Sequence, residues 1–210
     1  FGVPVVSQLF AASAEEAVDI AKTIGYPIAM KSAVGVSHKT EVAGIDLGIE
    51  TPQAATEAYA RLSQLGEQVA VQAMVPPGIE LAVGILSDEQ FGPVIVVSAG
   101  GTLVELLGDR AAALPPLDGA AAQALIGRLR MAPLLAGYRG RPRADIEAAA
   151  AAIASISSIA VYLGDLIAGL EVNPLIVNSD GAVAVDALVV AHRPAEPDIV
   201  KPSREQGAPR

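Results

Sequence analysis

The chain has no cysteine and no tryptophan, and only 3% of its 210 residues are aromatic. Without cysteine it can form no disulfide, no thiolate metal site and no thiol nucleophile. Such a composition suits a reducing compartment, and a cytoplasmic location is the expectation. With so few rings, a hydrophobic content of 52% must build its core from Ala, Val, Leu and Ile. Basic charge is also scarce: 14 Lys and Arg stand against 23 Asp and Glu, a net charge of −9. A duplex-binding surface needs a basic patch to neutralise phosphates, and none is visible, so nucleic acid is not an expected partner. A small phosphorylated ligand stays open, because a few local Lys, Arg and Gly residues can bind it against the global charge. No window holds the roughly 18 or more uninterrupted apolar residues of a membrane span. Residues 1–20 lack the basic start and apolar middle of a signal peptide, and no membrane partner is expected.

What is present is an alternation of helix and strand patterns. "SAEE" at 13–16 predicts a capping box, with Ser13 as cap and Glu16 reaching back, ahead of a helix that Gly25 ends. "YPIAMK" and "GIDLGIE" predict strands. "TPQAATEAYARLSQLG" predicts a second helix with Thr51 at its cap, Pro52 at the first position and Gly66 at its end. "QVAVQAMV" predicts a buried strand. "PPG" at 76–78 breaks the chain and reads as a hinge between an N-terminal lobe (1–75) and a C-terminal lobe (76–192). Beyond it, "IELAVGIL" and "GPVIVVSA" predict two strands joined by "SDEQF". Helices follow over "DGAAAQALIGRLR" and the Ala-rich "RADIEAAAAAIASISSIAVYL", and then closing strands over "DLIAGLEVNPLIV" and "AVAVDALVV". Residues 193–210, with Pro and charge but no periodicity, read as a loose tail. Neighbouring strand pairs predict antiparallel sheets in an α+β arrangement rather than a Rossmann sheet.

The closing hairpin carries the most geometry. A loop over Asn178–Gly181 sets Val177 opposite Ala182, Leu175 opposite Ala184 and Asn173 opposite Asp186. Glu171 falls on the face of Asn173, because strand side chains alternate. Two carboxylates and an amide on one patch suit Mg²⁺, which takes oxygen ligands and is often shared with phosphates; a plain polar hairpin end, with Asp186 paired to a base, fits the same spacing. Pro174 inside the strand requires an edge or a position that donates no hydrogen bond.

Lys31 ends a buried strand beside a glycine-containing loop, where it can meet a phosphate or simply snorkel to water. His38 lies in a polar loop, as an acid/base or phosphoryl acceptor, or as an ordinary surface histidine. Gly100 and Gly101 could let backbone approach a phosphate, or could make a tight turn. Glu105 and Asp109 share a face if the turn between them is helical. The three arginines of "GYRGRPR" (137–143) could clamp an anion or face solvent.

Together, "YPIAMKSAVGVSHKTEVAGIDLGI", "VAVQAMVPPGIELAVGILSDEQFGPVIVVSAGG", "GYRGRP" and "LEVNPLIV…GAVAVDAL" resemble the ATP-grasp domain of NDP-forming acyl-CoA synthetases, relatives of the succinyl-CoA synthetase β subunit. The resemblance runs from about Phe1 to Ala191, with the motifs in the family's order. It implies an ATP-grasp fold, ATP or ADP held with Mg²⁺ between two α+β lobes, and an acid–thiol ligase reaction joining a carboxylic acid to CoA. It implies Lys31 on the phosphates, Gln72, Ala73 and Met74 beside adenine, and Glu80 on the nucleotide side, with exposed Gly100 and Gly101 facing the incoming partner loop. Asn173 and Asp186 match the metal-binding pair, joined by Glu171 from the hairpin register. His38 matches the histidine of a phosphoryl-relay loop, with Glu41 beside it to orient it. The family has "GLGG" where this chain has Ser98-Ala99-Gly100-Gly101, and "VGG" where it has Val42-Ala43-Gly44. The family's CoA-binding domain and ligase-type domain are absent from this sequence, and they are the implied partners. Two rivals stand beside this reading: an ATP-grasp ligase of another chemistry, and a non-catalytic nucleotide-sensing or interaction module.

Overall fold

A computed structural model describes residues 1–32, 44–66, 68–101 and 108–192. His38, Glu41, Glu105 and the tail from residue 193 lie outside the described residues. The elements, in chain order, are β1 (Gln8–Ala11), α1 (Ala14–Ile24), β2 (Ile28–Ser32), β3 (Ile45–Ile49), α2 (Pro52–Leu62), β4 (Val69–Ala73), β5 (Ile79–Asp88), β6 (Gly92–Ala99), β7 (Arg110–Ala113), α3 (Gly119–Gly127), α4 (Ala132–Leu135), α5 (Ile146–Leu163), β8 (Ile167–Asn178), β9 (Gly181–Ala184) and β10 (Ala187–Ala191). The first six build a four-stranded sheet, ordered β1-β4-β2-β3, under α1 and α2. The rest build a six-stranded sheet, ordered β10-β8-β5-β6-β7 with β9 beside β8, under α3 and α5. Among the described residues every strand ladder is antiparallel, and the one parallel contact is an isolated bridge from Val5 to Ala184. The fold is α+β, as the adjacent strand patterns predict.

Local chemistry sets the helix ends. The Ser13 hydroxyl accepts the Glu16 N–H at 3.1 Å, and the Glu16 carboxylate accepts the N–H of Ala12 (2.8 Å), one residue before the cap rather than the cap itself. Gly25, at φ +95°, ends α1 in a region open to glycine. Thr51 caps α2 with Pro52 at its start, as predicted. That helix stops at Leu62 instead of running to Gly66; the next residues bond i to i−3 and tighten into a turn. Asp118 and Asp145 cap α3 and α5 by accepting the N–H groups of Ala121 and Ala148.

Two separate apolar clusters follow from these faces. In the smaller, Ile28, Met30, Val69 and Val71 point from β2 and β4 into α1 and α2. In the larger, Leu81, Val83 and Ile85 of β5 and Leu175 and Val177 of β8 meet Ile153 and Ile156 of α5. Helix α5 is long and apolar enough, by length and composition, to cross a membrane. Here Ala149, Ala150, Ala152, Ile153, Ile156, Ser157 and Ala160 are buried in the protein, and small alanines let the helix lie close to the sheet.

Two strands have no sequence prediction. β1 is four residues of mostly exposed side chains, and β7 is "RAAA", whose composition is that of a helix. Tertiary pairing with β4 and β6 overrides both local preferences. Asp109 is likewise no site residue: its buried carboxylate accepts the N–H groups of Arg130 (2.8 Å) and Met131 (2.9 Å) and pins the turn after α3.

Ile153 is fully buried at the centre of the larger cluster. Ile153→Ala is expected to lower unfolding stability by about 2–5 kcal/mol. Val161→Ala on the same helix, where the side chain is 51% exposed, should stay within about 0.5 kcal/mol. Urea unfolding of the two variants checks this.

Candidate functional site

Strand pairing sorts the β2 and β4 side chains onto two faces. Lys31 lies opposite Ala70, and Gln72 opposite Ala29, so Lys31 and Gln72 share the face turned away from α1 and α2. Both are buried, Lys31 at 5% exposure and Gln72 at 1%. A buried ammonium or amide is tolerated only with partners, and both find the same one. Lys31 Nζ and Gln72 Nε2 each donate to the carbonyl oxygen of Val185, both at 2.8 Å. Gln72 Nε2 also donates to Gln8 Oε1 at 3.3 Å. Lys31 Nζ stands 3.8 Å from Asp186 Oδ2.

Val185 is available because Pro174, which the register sets opposite it, has no N–H to give, and because the closing strand is not one strand. "AVAVDALVV" divides into β9 and β10, and Val185 and Asp186 lie in the break. The break faces a bulge in β8. Leu81 pairs Leu175 and Val83 pairs Val172, so Asn173 and Pro174 together oppose the single residue Ala82. Pro174 has no N–H for the β5 ladder, and its carbonyl accepts from Val185 N at 3.0 Å. Asn173 N donates to Asp186 O at 3.1 Å.

The hairpin register is the one predicted: Val177 pairs Ala182 and Leu175 pairs Ala184. Its loop is shorter than predicted, because Asn178 and Gly181 pair and leave only Ser179 and Asp180 to turn. Asn173 Nδ2 donates to Glu171 Oε1 at 3.2 Å, so these two meet. Asp186 Oδ1 accepts the N–H of Ala187 at 3.0 Å. Glu171, Asn173 and Asp186 are thus gathered where β8, the break and Lys31 converge.

Glu80 sits on β5, exposed, on the face opposite the core residue Leu81. The two glycines are shaped around it. Gly100 N donates to Glu80 O at 2.7 Å, and a Cβ on Gly100 would stand 2.8 Å from the carbonyl carbons of Glu80 and Leu81. Gly101, at φ +73°, lies against the Glu80 carboxylate, which a Cβ there would strike. Close approach explains both glycines, which no sequence spacing could have linked to Glu80. Ala73 N donates to Ser7 O at 3.0 Å, and Met74 is 36% exposed at the end of β4. The arginines of "GYRGRPR" are all exposed, with Arg139 5.2 Å from the Tyr138 ring centroid. No group of three or more Asp, Glu or His gathers among the described residues.

The model of the ATP-grasp domain family matches residues 1–191. The chain is an ATP-grasp domain. It is 32% identical over 200 residues to the beta subunit of an ADP-forming acetate–CoA ligase from Pyrococcus furiosus, covering 90% of this chain and 86% of that subunit. It is 34% identical to a trans-feruloyl-CoA synthase from an unknown prokaryotic organism, where it spans only 29% of the length. A dinucleotide-forming acetyl-coenzyme A synthetase of Candidatus Korarchaeum cryptofilum, solved with coenzyme A and Ca-AMPCP, superimposes at a TM-score of 0.83 and 32% identity. The match covers 90% of this chain and 87% of that one. The same synthetase is also solved with coenzyme A and Mg-AMPPCP. A D-alanine–D-alanine ligase from Coxiella burnetii shares 12% identity at a TM-score of 0.51, a likeness of fold alone. This ATP-grasp domain therefore belongs with those of the ADP-forming acyl-CoA synthetases.

Gly100→Ala should lower stability by about 1–3 kcal/mol, since β5 backbone cannot yield to the new methyl. Gly119→Ala, where nothing lies within 4 Å, should be neutral or slightly stabilising. Thermal melts of the pair test the close approach.

Proposed function

We propose that this domain binds ATP or ADP with Mg²⁺ between its two sheets and serves the reaction of a carboxylic acid, CoA and ATP to acyl-CoA, ADP and phosphate. One observation carries the reading: Lys31, a buried cation, reaches across to the Val185 carbonyl and the Asp186 carboxylate. A nucleotide's phosphates offer the ammonium stronger, charge-assisted hydrogen bonds than a neutral carbonyl does.

The residues present suit Mg²⁺ by their chemistry. Glu171, Asn173 and Asp186 offer hard oxygen donors beside one lysine. When bound, Mg²⁺ neutralises charge on the transferring phosphoryl group. Asn173 and Asp186 would hold it, with Glu171 orienting Asn173 through their hydrogen bond. Lys31 would hold the phosphates, and Glu80 would face the nucleotide with Gly101 against it. His38 would accept or pass on the phosphoryl group and Glu41 would orient its ring, roles that rest on the family resemblance.

The CoA-binding and ligase-type domains would come from a partner subunit or from the remainder of a longer chain. Coverage of 86% of the Pyrococcus beta subunit and 29% of the feruloyl-CoA synthase supports either arrangement. The carboxylic acid and CoA would reach the site through those partners. The other ATP-grasp chemistry is less supported, because the D-alanine–D-alanine ligase shares 12% identity and the CoA ligases and synthase 25–34%.

Calorimetry with ATP and ADP, with and without Mg²⁺, tests this reading. Binding should require the metal, and Asp186→Asn should weaken it at least about tenfold, the loss of about 1.4 kcal/mol. Equal binding with and without Mg²⁺, or an Asp186→Asn variant indistinguishable from wild type, would contradict it.

A further inference from the structure

The resemblance puts Gln72 beside adenine, but its side chain is spent elsewhere. It is 1% exposed, and its amide nitrogen is shared between Gln8 Oε1 and the Val185 carbonyl. Val185 is the residue in the break between β9 and β10, so its carbonyl turns out of its own sheet and into the opposite one. That carbonyl has two lone pairs, and two donors at equal distance use them. The donors differ in kind. Lys31 carries a charge, and a phosphate oxygen is a better partner for it than a carbonyl. Gln72 is neutral and gains nothing comparable by leaving. The next residue along is Asp186, tied to Asn173 through its carbonyl.

We propose that Gln72 is a positioning residue for the Mg²⁺–nucleotide site: it holds the Val185 carbonyl across the gap between the sheets, keeps Asp186 turned toward Lys31, and leaves Lys31 as the donor that exchanges Val185 for a phosphate oxygen. This rests on the nucleotide reading above. It assigns Gln72 no contact with the base.

The test compares wild type with Gln72→Met, which keeps the volume but cannot donate. Calorimetry with Mg-ATP, Mg-GTP and ATP in EDTA gives the readouts. For Gln72→Met, Mg-ATP affinity should fall about tenfold, the loss of one hydrogen bond that sets a charged group. ATP in EDTA should change less than about twofold, and the ATP-to-GTP ratio should hold. An equal loss of metal-free and metal-bound affinity would overturn the proposal in favour of a purely structural role. A changed base preference would overturn it in favour of base reading. Wild type gives a readout without any variant: on adding Mg-ATP, the Lys31 side-chain NMR signals should shift while the Gln72 side-chain amide protons stay protected from exchange with water. Loss of that protection would also overturn it. Failure of wild type to bind Mg-ATP at all would instead sink the nucleotide reading itself, and is read separately in the same experiment.

Discussion

One backbone carbonyl joins the two halves of this protein's chemistry. Val185 O takes two buried polar donors of the smaller sheet, Lys31 and Gln72, and supplies each with part of the hydrogen bonding its burial requires. Leaving such a buried group unpaired costs several kcal/mol for a charge and about 1–3 kcal/mol for an amide. The two sheets have separate apolar cores. Their relation near the site therefore depends on this polar contact, together with the N-terminal strand segment in which Val6 N donates to Ala184 O and Ala184 N to Pro4 O.

The rest of the site is arranged to free that carbonyl. Pro174 cannot extend the β5 ladder, so β8 bulges, and the bulged backbone bonds to Val185 and Asp186 instead. The register sets Val185 opposite Pro174, which has no N–H to give, so the Val185 carbonyl finds no donor in its own sheet. The break also sets Asp186 near Lys31, where a chain of net charge −9 needs a local cation if it is to accept an anionic ligand. Membership of the ADP-forming acyl-CoA synthetase ATP-grasp domains gives this geometry its chemical setting.

Much of this was legible in the sequence, for definite reasons. The hairpin register followed from a turn-rich tetrapeptide between two alternating strands, and one register fixes every facing pair beyond it. That is why Asn173 and Asp186 could be matched before any coordinates. The caps of α1 and α2 were legible because Ser13 and Thr51 act on neighbours three residues away. β1 and β7 were not, because four-residue strands made by pairing leave no periodicity, and "RAAA" alone favours helix. The Val185 carbonyl was half legible: the register set it opposite Pro174, which has no N–H, but nothing in the sequence told which donors of the other sheet take it. The partnership of Gly100 and Gly101 with Glu80 was hidden likewise, since it spans two strands and depends on close approach.

The central claim is that Lys31, poised on Val185 and Asp186, is the seat of the nucleotide's phosphates. A crystal structure of this chain with Mg-AMPPCP tests it most directly. The account predicts phosphate oxygens within hydrogen-bond distance of Lys31 Nζ, the metal on Asp186 and Asn173, and Gln72 still bonded to Val185 O. A nucleotide bound away from β2, with Lys31 still on the Val185 carbonyl, would contradict it.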